Sequence, residues 1–392
     1  MLSGIRLDEC LWIRSQNGDD QPVFRPMMRS LQKRQAKIIK LDVSSPAEMQ
    51  RLRDQVWKTD QHVILQGLLP RELNAIRPIF AGRKNFSIMP IDWWVVPFWF
   101  SRHATFNIFH NYSGIMVHTQ GAQFMNGDFP PLLYLPQRKV AYEIQSALLR
   151  PIALLSAPLL DVYKRWQRST VSPDPKSFLY FPFPIAEEEV PLHSESPRYD
   201  FTSLGAVMGT WLMRDPYVTA SLNFANLYSD RLRLINIIGK LEGQPFTIYD
   251  RRKHKAFVPW EELTRIIRQS RFVICTGGLQ HNSVPKFLEY ACLGIPMFGT
   301  ALPYEYPWLE RCLVQVNPMR ISATALKSKM LEALEQHAVL RQNCLAMRET
   351  LLRMYNPDTL LDLLQDQMRG RPVPAGYLRQ PALQPTPADR LN

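Results

Sequence analysis

Cysteine is scarce and unpatterned in this 392-residue chain: Cys10, Cys275, Cys292, Cys312 and Cys344 stand far apart, mostly inside apolar runs. An odd, scattered set makes neither a disulfide framework nor the paired spacing of a zinc site, so a reducing compartment is expected. Long hydrophobic runs are missing as well. The longest, residues 147–160, is broken by Arg150, Pro151 and Pro158, and the opening MLSGIRLDECLWIRS carries acids and no apolar signal-peptide core. These absences together predict a cytosolic protein. No zinc finger, RNP aromatic pattern or repeated basic helix is visible, which argues against a nucleic-acid partner even at a formal charge of +12. There is no internal repeat of short period and no D-x-D acid pair.

The chain does have enough apolar residues, 46%, to bury two separate cores, which excludes a disordered or fibrous protein. Its excess of cations asks for an anionic partner, either a membrane face touched peripherally or a diphosphate. The densest basic cluster, Asp250-Arg251-Arg252-Lys253-His254-Lys255, reads first as a solvated loop.

Strands and helices alternate through the first half. Strands are expected at Leu7–Arg14, Ala36–Asp42, His62–Gln66 and Asn85–Pro90, and helices at Pro22–Gln35, Ser45–Lys58 and Pro70–Ala81. Ser45 followed by Pro46 is a helix start, with a capping hydroxyl before a residue that has no N–H to satisfy. Such alternation implies a parallel, doubly wound sheet. The aromatic stretch Ile91–Phe100 follows, and reads equally as a sugar- or membrane-touching platform and as a core plug. Asp92, just past a strand, sits where open α/β sheets place ligands, although a loop cap is the alternative. His118, in GIMVHTQG, is a proton-shuttle candidate beside its simpler reading as a hydrogen-bonded loop residue. With His103 and His110 it has no metal-site spacing. Residues 169–198 hold six prolines and the run Glu187-Glu188-Glu189, which predicts a linker.

A second alternating series follows. Strands are expected at Phe201–Leu204 and Pro245–Asp250, and helices at Asn223–Lys240 and Pro259–Gln269. Its centre is RFVICTGGLQHNSVPKFLEYACLGIPMFGT, residues 271–300. A strand, Arg271–Cys275, ends at the turn pair Gly277-Gly278; a helix opens with Ser283 as N-cap and Pro285 in its first turn; Gly294 and Pro296 close it before a strand at Ile295–Phe298. Val284, Phe287, Leu288 and Ala291 make the packed stripe, leaving Asn282, Lys286 and Glu289 on another face. A helix N-terminus after glycines, at the carboxyl end of a parallel strand, suits a phosphate. Glu289, about 1.5 turns further on, is placed to accept hydrogen bonds from ribose hydroxyls. Ser322–Gln367 is helical with a break at Pro357, and the proline-rich tail from Gly370 is expected to be disordered.

The central stretch resembles the donor signature of group 1 GT-B glycosyltransferases, a glycine-containing loop running into a helix read as E-x7-E and then A-x-G-x-P. VPKFLEYACLGIP supplies Glu289, Ala291, Gly294 and Pro296; eight positions before Glu289 stands His281, where the family has its first glutamate. The order FLYFPFPI, YDFTSLG, FTIYD, PWEELTRIIRQSRFVICTGG and VPKFLEYACLGIP is similar to the spore-maturation-protein-like branch over residues 178–365.

The resemblance implies an α/β protein of two Rossmann-like doubly wound domains facing a cleft. These are an acceptor-side domain over residues 1–168, the linker, a nucleotide-sugar domain over 199–368 whose last helix braces the first, and a tail over 369–392. It implies transfer of a hexose from a nucleoside diphosphate sugar, used as co-substrate with no cofactor, to a glycan, a lipid-linked acceptor or a protein. No metal is needed, in keeping with the missing D-x-D pair. The donor would be held by Gly205, Arg214, Arg231, Lys240, Gly277, Gly278, His281, Asn282, Ser283, Val284 and Glu289, with Asp92 and His118 as the catalytic candidates. His281 keeps two alternatives open, a non-catalytic binding or scaffold protein of the same fold and a nucleotide-sugar epimerase.

Overall fold

The computed structural model describes residues 5–15, 24–90, 100, 103–112, 115, 177–192, 196–204, 229–241, 245–251, 260–277, 284–302, 304–318 and 321–378. Among the described residues eleven short strands fall into two sheets, and every pair of neighbouring strands is parallel.

The first sheet holds β1 (Leu11–Ser15), β2 (Lys37–Leu41), β3 (Val63–Gln66), β4 (Phe86–Met89), β5 (Phe106–Phe109) and β6 (Phe178–Tyr180) in the order β2-β1-β3-β4-β5-β6. Helices α1 (Arg25–Lys33), α2 (Pro46–Lys58) and α3 (Pro70–Phe80) connect its first four strands. The start of α2 is as its sequence dictates, with the Ser45 hydroxyl accepting from Glu48 N–H and Pro46 in the first turn. Strands β1, β3, β4 and β5 are buried along their whole length, as expected of parallel strands covered on both faces.

The second sheet holds β7 (Tyr199–Ser203), β8 (Ile248–Asp250), β9 (Ser270–Cys275), β10 (Met297–Gly299) and β11 (Leu313–Gln315) in the order β11-β10-β9-β7-β8. Around it lie α4 (Ser229–Lys240), α5 (Trp260–Arg268), α6 (Pro285–Cys292) and the long α7 (Ala323–Met354). Counted from its own first strand, this sheet has the order 2-1-3-4-5, and the first sheet begins the same way. Both are therefore Rossmann-like doubly wound sheets, in which the side on which successive strands are added switches between the first and third strands while all strands stay parallel.

The final helix, α8 (Pro357–Met368), leaves the second sheet and returns to the first. Arg34 at the end of α1 binds Asp358 (3.1 Å) and Asp362 (2.9 Å) of α8, and Gln365 accepts from Leu7 N–H at 2.8 Å. One apolar core runs through both halves, from Trp12, Ile108 and Tyr180 to Phe287, Met297, Tyr355 and Leu364. Each sheet also has a core of its own, Ile13–Leu65–Phe86 in the first and Phe201–Phe272–Phe298 in the second.

Several expectations are corrected. Strands β5, β6 and β11 come out of stretches not read as strands. The proline-rich residues expected as a linker instead contribute β6 at a sheet edge, where a lost N–H is tolerated, and a 3-10 turn at Glu187–Glu189. The start of the expected tail is packed: Tyr377 is buried, its hydroxyl donates to Met354 O at 2.7 Å, and Leu378 bridges to Glu305. No helix among the described residues is long and apolar enough to cross a membrane.

Candidate functional site

The reversal point of the second sheet lies between β7 and β9, whose carboxyl ends are Ser203-Leu204 and Cys275-Thr276-Gly277. Ligands of open α/β sheets bind outside such a point. The neighbouring strand β10 shapes this edge. Gly299 passes so close to Cys275 that a Cβ on it would stand 1.9 Å from the Cys275 carbonyl oxygen. That approach lets the next residue, Thr300, accept a hydrogen bond from Gly277 N–H through its hydroxyl at 3.2 Å. The backbone after β9 is thus fixed by a side chain from the adjacent strand.

Helix α6 stands over this edge. It opens at Val284 without a side-chain cap, places Pro285 in its first turn, and buries Phe287, Leu288 and Ala291. It ends in a two-bond glycine cap: Gly294 at φ +73° donates to Ala291 O and Ile295 to Tyr290 O. Glu289 is half-buried one turn into the helix, and its carboxyl group makes no hydrogen bond or ion pair with a described residue. Burial raises its pKa, an effect that the ammonium of Lys286 partly offsets.

A second carboxylate with a shifted pKa lies on the chain segment between the two sheets. Glu189, on the 3-10 turn of the crossover, is bound by Arg29 of α1 at 2.8 Å, while the same guanidinium holds Glu188 at 2.9 Å. Burial pushes the Glu189 pKa up to about 7, with Glu289 and Glu188 adding to the rise and Arg29 and Arg25 opposing it. The crossover is pinned to α6 from the other side by Arg348 of α7, which donates to Val190 O (2.8 Å) and Cys292 O (2.6 Å). The crossover is therefore held to α1 through Arg29 and to the last turn of α6 through Arg348.

Of the residues expected at the site, the structure brings together Gly277, Val284 and Glu289. The helix N-cap is Val284, one position beyond the expected Ser283, because Pro285 holds its predecessor in extended conformation at φ −124°, ψ 146°. Lys240 does not join them. It is exposed in the last turn of α4, and a helix between parallel strands runs back, so its end lies at the opposite edge of the sheet. Arg231 lies near the start of α4, toward the carboxyl edge. Asp92, His118, Gly205, Arg214, Gly278, His281, Asn282 and Ser283 lie outside the described residues.

His110 proves structural. It is buried, bonded to Phe181 O at 2.8 Å, stacked on Phe183, and its pKa is pushed down to about 4 by burial. Among the described residues no group of histidine, cysteine and acidic side chains is placed to hold a metal ion. Sequence reading missed Glu189, Arg29 and Thr300. The acidic run 187–189 was visible, but its meeting with α6 depends on long-range packing.

No family model matches the chain, and no curated protein is similar to it in sequence. Among solved structures it is similar to HepE of Anabaena in complex with UDP-glucose, at 8% identity over 92% of this chain and 100% of that one, TM-score 0.48. It is also similar to sucrose-phosphate synthase of Thermosynechococcus elongatus (12% identity, 92% and 98% covered, TM-score 0.43) and to MurG of Acinetobacter baumannii (11%, 91% and 99%, TM-score 0.36).

Proposed function

We propose that the chain is a GT-B glycosyltransferase that moves a hexose from a nucleoside diphosphate sugar to an acceptor hydroxyl. The observation that carries this reading is Glu289, a half-buried carboxyl group without a described partner. It stands one turn into a helix that opens over the reversal point of a doubly wound sheet. A diphosphate suits that helix start, because backbone N–H groups and the helix dipole favour negative charge there. Glu289 then meets the ribose hydroxyls, and the fixed Gly277 backbone lets the donor approach the sheet edge without a side chain in the way.

In the transfer, the bond between the anomeric carbon and the diphosphate oxygen breaks with its electron pair leaving on the diphosphate, while the acceptor oxygen bonds to the anomeric carbon and gives up its proton. Dipoles fixed in advance at the departing oxygen stabilise the charge that develops there. In this reading Asp92 and His118 are the acceptor-side candidates for taking the proton, Arg214 and Arg231 are cations toward the diphosphate, and the absence of a D-x-D pair goes with a transfer that needs no metal.

A thermal-unfolding panel of nucleoside diphosphates and their sugars, on the wild type and on Glu289→Ala, tests the proposal. A ligand at 100 times its Kd stabilises the native state by about 2.7 kcal/mol, well above detection. Stabilisation by one base family, lost in Glu289→Ala, is the expected result. A wild type indifferent to every nucleotide would overturn the donor reading.

A further inference from the structure

The loop between β10 and β11 carries more than Thr300. Further along it Glu305 is fully buried, and its carboxylate accepts a hydrogen bond from Tyr112 N–H, just past β5 of the first sheet. The backbone of Glu305 also forms an antiparallel bridge with Leu378, beyond the end of α8. The next residue, Tyr306, is held in the left-handed region at φ +52°, ψ +64°, a conformation that a bulky side chain keeps only where its surroundings enforce it. A chain of rings does so. Tyr306 packs on Trp308 (5.1 Å between centroids) and on Tyr355 (5.6 Å), the Tyr355 hydroxyl accepts from the Trp308 indole at 3.1 Å, and Tyr377 lies edge-on to Tyr355 at 5.4 Å. Tyr377 is itself buried, and its hydroxyl donates to Met354 O at 2.7 Å. On the side of the first sheet, the Tyr112 ring meets Tyr180 of β6 at 5.7 Å and Tyr304 of the loop at 6.4 Å.

We propose that residues 374–378 are a strap that clamps the loop between β10 and β11, and that Glu305 is a positioning residue through which the clamped loop sets the donor site. The inference rests on the donor reading above. The loop begins at the donor site, where the Thr300 hydroxyl fixes Gly277 N–H at 3.2 Å. Further on it is tied to the first sheet through Tyr112 and to the strap through Leu378. Without the Tyr377 ring, Tyr355 loses the neighbour that backs it against Tyr306. The left-handed tyrosine then relaxes, and the chain turns at Glu305 and, along the loop, at Thr300. The strap is lightly held elsewhere: Pro374, Ala375 and Gly376 are exposed, and α8 is anchored separately by Arg34, Gln365 and Gln367. It can therefore detach while both sheets and the bracing helix stay in place, which is the behaviour of a locally opening unit.

The test is amide hydrogen exchange, read by mass spectrometry on the full chain without ligand, for the wild type, Tyr377→Ala, Tyr377→Phe, Glu305→Ala and Glu305→Gln. Tyr377→Ala and Glu305→Ala should speed exchange by about tenfold in peptides covering 300–312 and 270–277, with α2 and α8 unchanged. Tyr377→Phe keeps the ring on Tyr355, and Glu305→Gln keeps an oxygen for Tyr112 N–H, so both should retain most of the protection. Calorimetry with the nucleoside diphosphate that stabilises the wild type most should show several-fold weaker binding to the two alanine variants. Unchanged exchange at 300–312 in Tyr377→Ala overturns the strap, and unchanged exchange in Glu305→Ala overturns the role of Glu305. An equal rise in every peptide, α2 and α8 included, would make these side chains general supports of the fold and also overturns the inference. Faster exchange at 300–312 with 270–277 and nucleotide affinity untouched overturns the link to the donor site. A wild type that binds no nucleotide sinks the donor reading instead, while the exchange of 300–312 still decides the strap.

Discussion

The Gln367 carboxamide closes the open edge of the first sheet at Tyr180: its Oε1 accepts from Tyr180 N–H at 2.9 Å and its Nε2 donates to Tyr180 O at 2.6 Å. Strand β6 is the last in its sheet, so these two backbone groups have no neighbouring strand, and a side chain from α8 takes its place. Gln365 makes a similar pair with Leu7 N–H and Ile5 O ahead of β1. Helix α8 is thereby fastened to the first sheet by amides as well as by its apolar face.

Gln367→Leu should therefore destabilise the fold although it adds apolar surface. It leaves a buried N–H and a buried C=O unpaired, each costing ~1–3 kcal/mol, so a loss of about 3 kcal/mol is expected from urea unfolding. Glu at the same position retains an acceptor for the N–H and should cost less if it is protonated. A neutral outcome for Gln367→Leu would show that water replaces the amide at this edge.

Arg348 plays the matching part on the other side. Its two buried carbonyl partners, Val190 O and Cys292 O, belong to the crossover and to the last turn of α6, where helix carbonyls lack partners of their own. Arg348→Met should keep the packing of the stem and lose both bonds, at about 3 kcal/mol. Arg348→Lys should recover part of that, since an ammonium reaches one carbonyl more readily than two.

Much of this fold is legible locally, and what is not shares a cause. Helix α2 follows from Ser45 and Pro46, α7 from the Ser322 hydroxyl that accepts from Ala325 N–H, and the end of α6 from Gly294. Each of these signals acts within a few residues. Strands β6 and β11 have three residues each, too few for any alternation to show, and only pairing with β5 and β10 makes them strands. The same holds at the candidate site. Glu289 and Gly277 stand in one motif, whereas the crossover at Glu189 and Val190 is held to α1 by Arg29 and to the end of α6 by Arg348, residues about 160 positions away in opposite directions along the chain. Tyr377 packs under Met354 for the same kind of reason, although its surroundings in sequence are proline-rich.

Gly299→Ala should be among the most damaging small substitutions. The added Cβ meets the backbone of Cys275, its oxygen at 1.9 Å and its carbonyl carbon at 2.8 Å, and main chain in a central strand has no room to yield. Separation of β9 from β10 by even a few tenths of an ångström also breaks the Gly277 to Thr300 bond. Destabilisation of about 3 kcal/mol or more, or failure to accumulate in soluble form, is expected. Thr300→Val, which removes only the hydroxyl, separates the two effects: it should leave most of the stability and weaken nucleotide binding.

The buried histidines should set the acid limit of stability. Burial pushes His62 and His110 down to about 4 from an ordinary 6.5. As pH falls, the unfolded chain takes up these protons first, so stability present above pH 6.5 is lost progressively toward pH 4. In a proton NMR titration both rings should stay neutral throughout that range. Protonation of His110 near pH 6 would mean that its packing between Phe24 and Phe183 is looser than the ring distances of 5.2 and 4.7 Å describe.

Glu189 should produce the opposite slope. Its carboxyl pKa is raised to about 7 from 4.5, so the native state holds a proton that the unfolded chain has already released. The associated stabilisation is fully present below pH 4.5 and is lost as pH rises through 7, because the native protein binds more protons than the unfolded one over that window. The two effects overlap in the wild type, and the histidine limb masks the glutamate one between pH 4.5 and 6.5. A difference measurement separates them. Glu189→Gln keeps the shape and an oxygen for Arg29 but cannot ionise, so its stability relative to the wild type should rise from pH 5 to pH 8. A flat difference across that range would mean that Arg29 and Arg25 fully offset the burial, leaving Glu189 ionised at neutral pH.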